Sequence, residues 1–208
     1  MKKIVLIGDI VGSRALANRK KVQEKINHTF RKINKRKEIA SPYTITLGDE
    51  FQAVYANPKK IFSDILTLIA DIHPVRVRFS IGIGEIATKL NRQKSIGMDG
   101  QAFYISRDAL TNMKKRGLYL TVNGLYKNDE KLIQSMLNVM MNLVRVWKPA
   151  KIRLLIMMLE KEKTTYELAE KLGVSERAVY KTIKNSVMKD ICTLINEFED
   201  TIRATQTK

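Results

Sequence analysis

Residues 43–56 read YTITLGDEFQAVYA. Two runs rich in β-branched and aromatic residues meet at Gly48-Asp49, the composition of a strand over 43–48, a tight turn and a returning strand over 51–56. Working outward, KIVLIGDI predicts a strand over 3–10, and Val22, Ile26, Phe30 and Ile33 set a buried stripe along a helix over 15–37. Beyond the hairpin the pattern predicts a helix over 58–72, a strand over 75–86, a helix over 100–116 and a strand over 118–123. Asn57-Pro58 reads as the N-cap and first helical position of the second helix, and Gly117 as the residue that closes the third. The order βαββαβαβ, with helices inserted around a hairpin, predicts a ferredoxin-like or palm-type α+β sandwich with its helices on one face of the sheet.

In that topology the first strand and the hairpin lie side by side. Asp9, where the first strand runs out, and Asp49, at the turn, then converge at one rim of the sheet. Two like charges about 4 Å apart cost roughly 4 kcal/mol at an effective dielectric near 20. Such a pair therefore shares a proton, a Lys or Arg, or a divalent cation. A site for metal and phosphate is the sharper expectation.

The 208 residues suffice for one large domain, or for a domain of about 120–130 residues with a small companion, and the second division fits the texture better. With 44% hydrophobic residues, 10 Gly and 4 Pro the chain has material for real cores. The apolar run of MKKIVLIGDI is cut short by Asp9 and is followed by no small-residue cleavage site. The longest strongly apolar stretch, 154–159, is far short of a membrane span, so a cytoplasmic protein is expected. Cys192 is the single cysteine, which excludes an internal disulfide and a cysteine-based zinc site and suits a buried small hydrophobe.

The net charge of +17 is unevenly placed: residues 1–127 hold 24 Lys and Arg against 10 Asp and Glu, and residues 128–208 hold 14 against 11. Nine of the cations lie between Arg19 and Lys37, on the outer face of the first predicted helix. That face is either a solvated lysine-rich surface or a binding face for a polyanion such as DNA, RNA or a nucleoside polyphosphate. Gly82 and Gly84 form a GxG inside a predicted strand, where close helix packing or a bulge competes with a phosphate loop. Lys89, Arg92 and Lys94, in the loop over 87–99, face either a ligand or solvent.

Beyond Gly124 the texture changes. Asn128-Asp129-Glu130 open a segment over 131–147 whose Leu132, Ile133, Met136, Leu137, Met140, Met141, Leu143, Val144 and Trp147 leave little polar face, so it packs between two units or across a dimer interface. A helix over 150–161 follows Pro149. Residues 164–186, TTYELAEKLGVSERAVYKTIKNS, carry a capping box at Thr164 and Glu167, inward Leu168, Ala169 and Leu172, a turn at Gly173, and Val174, Val179 and Ile183 on a second helix. That is the spacing of a helix-turn-helix, which would expose Ser175, Glu176, Arg177, Tyr180, Lys181 and Lys184 to DNA; a helical hairpin of the same shape without DNA contact is the alternative. Val187, Ile191, Leu194 or Ile195, Phe198 and Ile202 continue a stripe that pairs two copies or packs on the helix over 131–147. The organisation expected is residues 1–127 as the sheet domain, 128–148 as a connecting helix, and 149–208 as an all-α helix-turn-helix domain with a C-terminal dimerisation helix.

DIVGSR, LGDEF with QAVY, RFSIGIGE and GQAFYISRDAL resemble, in order and spacing, the core motifs of class III nucleotidyl cyclases, and LGDEF resembles the GGDEF motif of diguanylate cyclases. With the C-terminal helix-turn-helix the whole chain resembles the SatD family. The cyclase resemblance covers residues 3 to about 120 and implies a palm fold. It implies that Asp9 and Asp49 hold two divalent ions, Mg or Mn, which bridge a triphosphate. It further implies that Ile10, Val11, Gly12 and Ser13 present backbone amides to phosphate and that Glu50 matches the glutamate of GGDEF, with a solvated hairpin-tip carboxylate as the alternative.

Several positions depart from that pattern. Ile45 stands where those cyclases carry a base-reading lysine, Tyr104 and Asp108 where they carry an asparagine and an arginine, and Leu47 where GGDEF has its first glycine. Arg107 replaces the missing arginine only if the helix register shifts, and Lys114, Lys115 or Arg116 only if they reach in from a later turn. Such a site holds metal and phosphate but is poorly equipped for cyclisation. The reading is a two-domain regulator: a degenerate cyclase-like domain that senses a nucleotide or polyphosphate with divalent metal, joined to a helix-turn-helix that binds DNA as a homodimer. An active nucleotidyl cyclase or nucleotidyltransferase using two divalent metals is the alternative.

Overall fold

The computed structural model describes residues 2–160 and 164–207, the side chains of 127–129 excepted. Its sheet is built from β1 (Lys3–Ile10), β2 (Ile39–Leu47), β3 (Glu50–Tyr55), β4 (Val77–Gly84) and β5 (Leu120–Asn123). The helices are α1 (Arg19–Ile33), α2 (Ile61–Ile72), α3 (Gln101–Arg116), α4 (Lys127–Val144), α5 (Pro149–Leu159), α6 (Thr165–Leu172), α7 (Glu176–Lys184) and α8 (Met188–Thr207). A single 3-10 turn, Ser13–Ala15, stands between β1 and α1. Residue 161, the expected end of α5, lies outside the described residues. No helix among the described residues is long and apolar enough to cross a membrane.

The strand order β2-β3-β1-β4-β5 follows from the alternation of connections. The β2–β3 hairpin is antiparallel and β1 lies between β3 and β4, antiparallel to both. The α3 crossover then lays β5 parallel to β4. The first four strands thus have the ferredoxin-like arrangement expected from the order of elements, extended by one strand. β1 is paired on both edges and buried on both faces: Ile4, Val5, Leu6 and Ile7 are fully covered.

The expectation of helices on one face is corrected. Ile4, Leu6, Phe51, Ala53, Tyr55, Phe79 and Ile81 meet α1 and α2 on one side. Val5, Ile7 and Val54 meet Ala102, Phe103, Leu110 and Met113 of α3 on the other. A parallel β4–β5 pair needs a crossover, and with α1 and α2 already covering one face the crossover helix takes the other. This placement also resolves the paired glycines of β4. A Cβ on Gly82 would stand 2.4 Å from the Ala102 carbonyl oxygen, and one on Gly84 2.9 Å from the Ala102 amide, so both serve close helix packing.

The Asn57-Pro58 reading is corrected too. These residues turn the chain, with Asn57 Oδ1 accepting the Lys59 amide at 3.1 Å, and α2 starts three residues later, after Lys60 in the left-handed region at φ 75°. Gly117 does end α3, at φ 67°, its amide donating to Met113 O.

One apolar cluster runs from α1 and α2 through α4 and α5 into α8. The stripe expected to pair two copies or to pack on the helix over 131–147 is largely buried within the chain, in the cluster that also holds the α4 residues. Ile191, Ile195, Phe198 and Ile202 are buried, Phe198 packs on Phe62 with ring centroids 5.8 Å apart, and Gln206 donates to the carbonyls of Lys2 and Ala56. Burying these side chains against α2 and the strand ends releases apolar area from water without a second chain. Val187, at the head of the stripe, stays 42% exposed. The α4 helix is buried on one face through Ile133, Leu137, Met140, Met141 and Val144, while Leu132, Val139 and Leu143 point outward.

Beneath this junction Asp64 is fully buried, accepting the Tyr55 hydroxyl at 2.7 Å and pairing with Arg36 at 3.1 Å. Burial pushes its carboxyl up to about 7 against the pull of Arg36 and Tyr55. Glu199 of α8, which accepts the Lys60 amide at 3.1 Å, is likewise pushed up by burial to about 7. Both folded-state values lie above the unfolded ones, so the stability these groups contribute is complete below about pH 4 and is lost as pH rises toward 7. The unfolding free energy is expected to fall across that window by at most about 1.4 kcal/mol per pH unit for each group, and the Asp64→Asn/Glu199→Gln variant to show a flatter profile in urea titrations. Gly82→Ala should lower stability by about 1–3 kcal/mol, measured by the same titrations, because Ala102 and Ser106 backbone atoms leave no room for the methyl.

Candidate functional site

β1 and the β2–β3 turn end at the same rim because β1 pairs with β3 through Asp9 opposite Glu50. The Ile10 amide donates to Asp49 O at 3.3 Å, tying the strand end to the hairpin. Around this junction lies a cavity of about 510 Å³ lined by Asp9, Ser13, Arg14, Arg19, Leu47, Asp49, Glu50 and Lys114. The two aspartates thus share one cavity, with Leu47, 69% exposed, at its edge.

Asp9 is only 6% exposed, and both its oxygens are engaged. Oδ1 accepts Lys114 Nζ at 3.0 Å, and Oδ2 pairs with Arg78 at 3.4 Å. Arg78 is there because it sits directly across β4 from Asp9. Lys114 is there because α3 runs back over the sheet and its last turn ends at this edge, where the Phe79 amide donates to Tyr119 O just beyond the helix. Asp49 Oδ2 accepts the hydroxyl of buried Ser13. Glu50 Oε1 is buried and pairs with Arg107 at 3.6 Å, too far for a hydrogen bond.

The Ile10–Ser13 turn is differently employed from the expectation. The Ile10 and Val11 amides donate to the carbonyls of Asp49 and Arg76, so neither is available to phosphate. Gly12, at φ 66°, is exposed and takes the left-handed conformation that starts the 3-10 turn. The Ser13 side chain is the partner of Asp49.

Magnesium or manganese on Asp9 and Asp49 does not fit this donor set as it stands. A hard divalent ion is held by one or two carboxylates with open oxygens. Here each Asp9 oxygen already has a cationic partner, and a divalent ion beside it would meet Lys114 and Arg78, each repulsion costing about 8 kcal/mol at 4 Å and an effective dielectric near 20. Among the described residues no group of three or more His, Cys, Asp and Glu is arranged to hold a metal. Three carboxylates, Asp9, Asp49 and Glu50, share the cavity lining with three cations, Arg14, Arg19 and Lys114, while Arg78 and Arg107, outside that lining, pair with Asp9 and Glu50. Such a balance favours anions bearing hydroxyls: phosphates toward the guanidinium and ammonium groups, hydroxyls toward the remaining carboxylate oxygens.

Sequence reasoning did not single out Arg14 or Arg78, and named Arg19 only as one of the nine cations of the first helix. The signal for Arg78 was present, since strand pairing across β1 sets it opposite Asp9, but only once the register is known. Tyr104 is exposed and donates to Asp99, Asp108 is exposed, and Ile45 is part of the sheet packing, so none of the three faces the cavity.

The second set of expected residues lies at a different place. α6 opens on the capping box, with both reciprocal bonds between Thr164 and Glu167 present, and Gly173 closes it at φ 64°. Ser175 caps α7 by accepting the Ala178 amide at 3.2 Å. Leu168, Ala169 and Val179 are buried between the two helices, whereas Val174, expected to pack, is 49% exposed. Ser175, Glu176, Arg177, Tyr180, Lys181 and Lys184 are all exposed. Glu176 accepts the Thr165 hydroxyl, and Lys184 lies over the Tyr180 ring at 5.8 Å.

Two solved structures are similar to part of the chain. A bacterial light-regulated adenylyl cyclase aligns at a TM-score of 0.41 and 15% identity, over 59% of this chain and 43% of that one. The catalytic core of a rhodopsin-guanylyl cyclase with converted specificity, in complex with ATPalphaS, aligns at 0.34 and 16%, over 51% and 70%. The chain thus spans less than half the length of the first. No curated protein sequence matches it. The profile of the SatD family matches residues 3–195, nearly the whole chain, and the protein belongs to the SatD family.

Proposed function

We propose that this protein is a regulator that binds a nucleotide or polyphosphate in the cavity at the rim of the sheet and contacts DNA through α7. The observation that carries the reading is the 510 Å³ cavity lined by Arg14, Arg19 and Lys114 together with Asp9, Asp49 and Glu50, a size suited to a small ligand. Arg14 and Arg19 line it without a carboxylate partner among the described residues. Glu50 Oε1, ion-paired with Arg107 at 3.6 Å, makes no hydrogen bond and can accept one from a ligand hydroxyl.

For DNA, the support is the exposed row of Ser175, Arg177, Tyr180, Lys181 and Lys184 on a short helix held by two capped helix starts. Residues 128–208 carry little net charge, and phosphate neutralisation dominates affinity, so a single copy binds weakly. A second copy, or the basic outer face of α1, supplies the remainder. Ligand binding alters DNA affinity only if the two arrangements of the chain differ in ligand affinity.

Two measurements test the two halves. Saturating tripolyphosphate or a nucleoside triphosphate at about 100 times its dissociation constant should stabilise the fold by about 2.7 kcal/mol, read as a rise in Tm, and Arg14→Ala/Arg19→Ala should remove the rise. No rise across a panel of nucleotides and polyphosphates counts against the sensing half. Duplex DNA of random sequence should bind at low salt, with Lys181→Ala reducing the salt dependence by roughly one phosphate contact; an unchanged slope rejects α7 as the contacting helix. Release of pyrophosphate from a triphosphate would instead mark the protein as an enzyme.

A further inference from the structure

Building on the anion-binding reading above, we infer that Lys114 is a built-in cation of the cavity. It occupies the position beside Asp9 that a divalent ion would otherwise take, so that a phosphate-bearing ligand binds without metal. The geometry has three parts. Asp9 is almost completely buried, so its charge needs a permanent partner, and the fold supplies two at 3.0 and 3.4 Å. One partner, Arg78, is mostly covered and comes from the neighbouring strand, a fixed structural counter-ion.

The other, Lys114, is 47% exposed and lines the cavity, so its ammonium contacts Asp9 on one side while facing the space a ligand enters. An ammonium has three rotatable donors, enough to keep its bond to Asp9 and still donate to a phosphate oxygen. Arg14 and Arg19 line the same cavity with no carboxylate partner among the described residues. The cavity therefore already holds positive charge before any ion enters.

A phosphate in this cavity displaces water from Lys114, Arg14 and Arg19 and leaves the Lys114–Asp9 pair intact. A ligand complexed with magnesium brings less negative charge and a cation that must compete with Lys114 and Arg78 for Asp9. Binding in the absence of divalent ions should therefore equal or exceed binding in their presence.

Manganese titrated into EDTA-stripped protein, followed by loss of the free-ion electron paramagnetic resonance signal, reads the metal question without any phosphate ligand. No stoichiometric uptake is expected. Uptake of one ion per chain that is lost in Asp9→Asn overturns the inference. Tripolyphosphate titrated in excess EDTA reads the lysine: Lys114→Met should weaken binding by about tenfold or more and Lys114→Arg should restore most of it. Wild-type binding that requires magnesium or manganese, or equal binding by Lys114→Met, overturns it. If tripolyphosphate binds under neither condition, the sensing half of the proposed function fails, and the manganese titration still decides which cation partners Asp9.

Discussion

A buried carboxylate at the end of the central strand is the constraint around which this molecule is arranged. β1 is hydrogen-bonded on both edges and covered on both faces, so Asp9 ends in a place where water cannot stabilise its charge. The fold answers with Arg78 from the adjacent strand and Lys114 from a helix more than a hundred residues downstream. The position of α3 therefore matters to the charge balance as much as to the packing. Its buried face, Ala102, Phe103, Leu110 and Met113, sets the register that brings the next residue, Lys114, to the rim.

The same helix accounts for the two glycines of β4. Gly82 and Gly84 let the α3 backbone approach the sheet to a distance no side chain would permit, and that close approach helps to hold the helix where its last turn meets Asp9. A GxG on a strand is thus read here by what lies across from it rather than by its own pattern. Ser13 and Asp49 complete the junction from the other side, joining the 3-10 turn to the hairpin tip.

At the opposite end of the sheet a second group of polar residues joins the two parts of the chain. Asp64, Arg36, Tyr55 and Tyr43 form a covered network beneath α2, and Glu160, Glu199 and Gln206 reach it or its surroundings from the C-terminal helices. The carboxyls of Asp64 and Glu199 are pushed up by burial into the neutral range, so this junction is sensitive to pH where most carboxylates are not. The apolar stripe of α8 closes over it, which places α6 and α7 on a segment anchored at its far end to β1 and the end of β3 through Gln206.

The sequence by itself determined the local elements: the order of strands and helices around LGDEF, the hairpin that carries Asp49, the Thr164–Glu167 capping box and the glycine turns at Gly117 and Gly173. These rest on periodicity of two or 3.6 residues and on short-range hydrogen bonds, which a stretch of a few residues encodes completely. Only the tertiary structure decided that α3 covers the opposite face, that α8 folds back within the chain, and that Asp9 meets Lys114 and Arg78. Those outcomes depend on which surfaces remain uncovered once the neighbouring elements have packed, and on contacts between residues far apart in the chain. The amphipathic stripe of α8 reads from sequence as a surface for a second copy or for its own chain, and only the packed structure shows Ile191, Ile195, Phe198 and Ile202 buried within the chain.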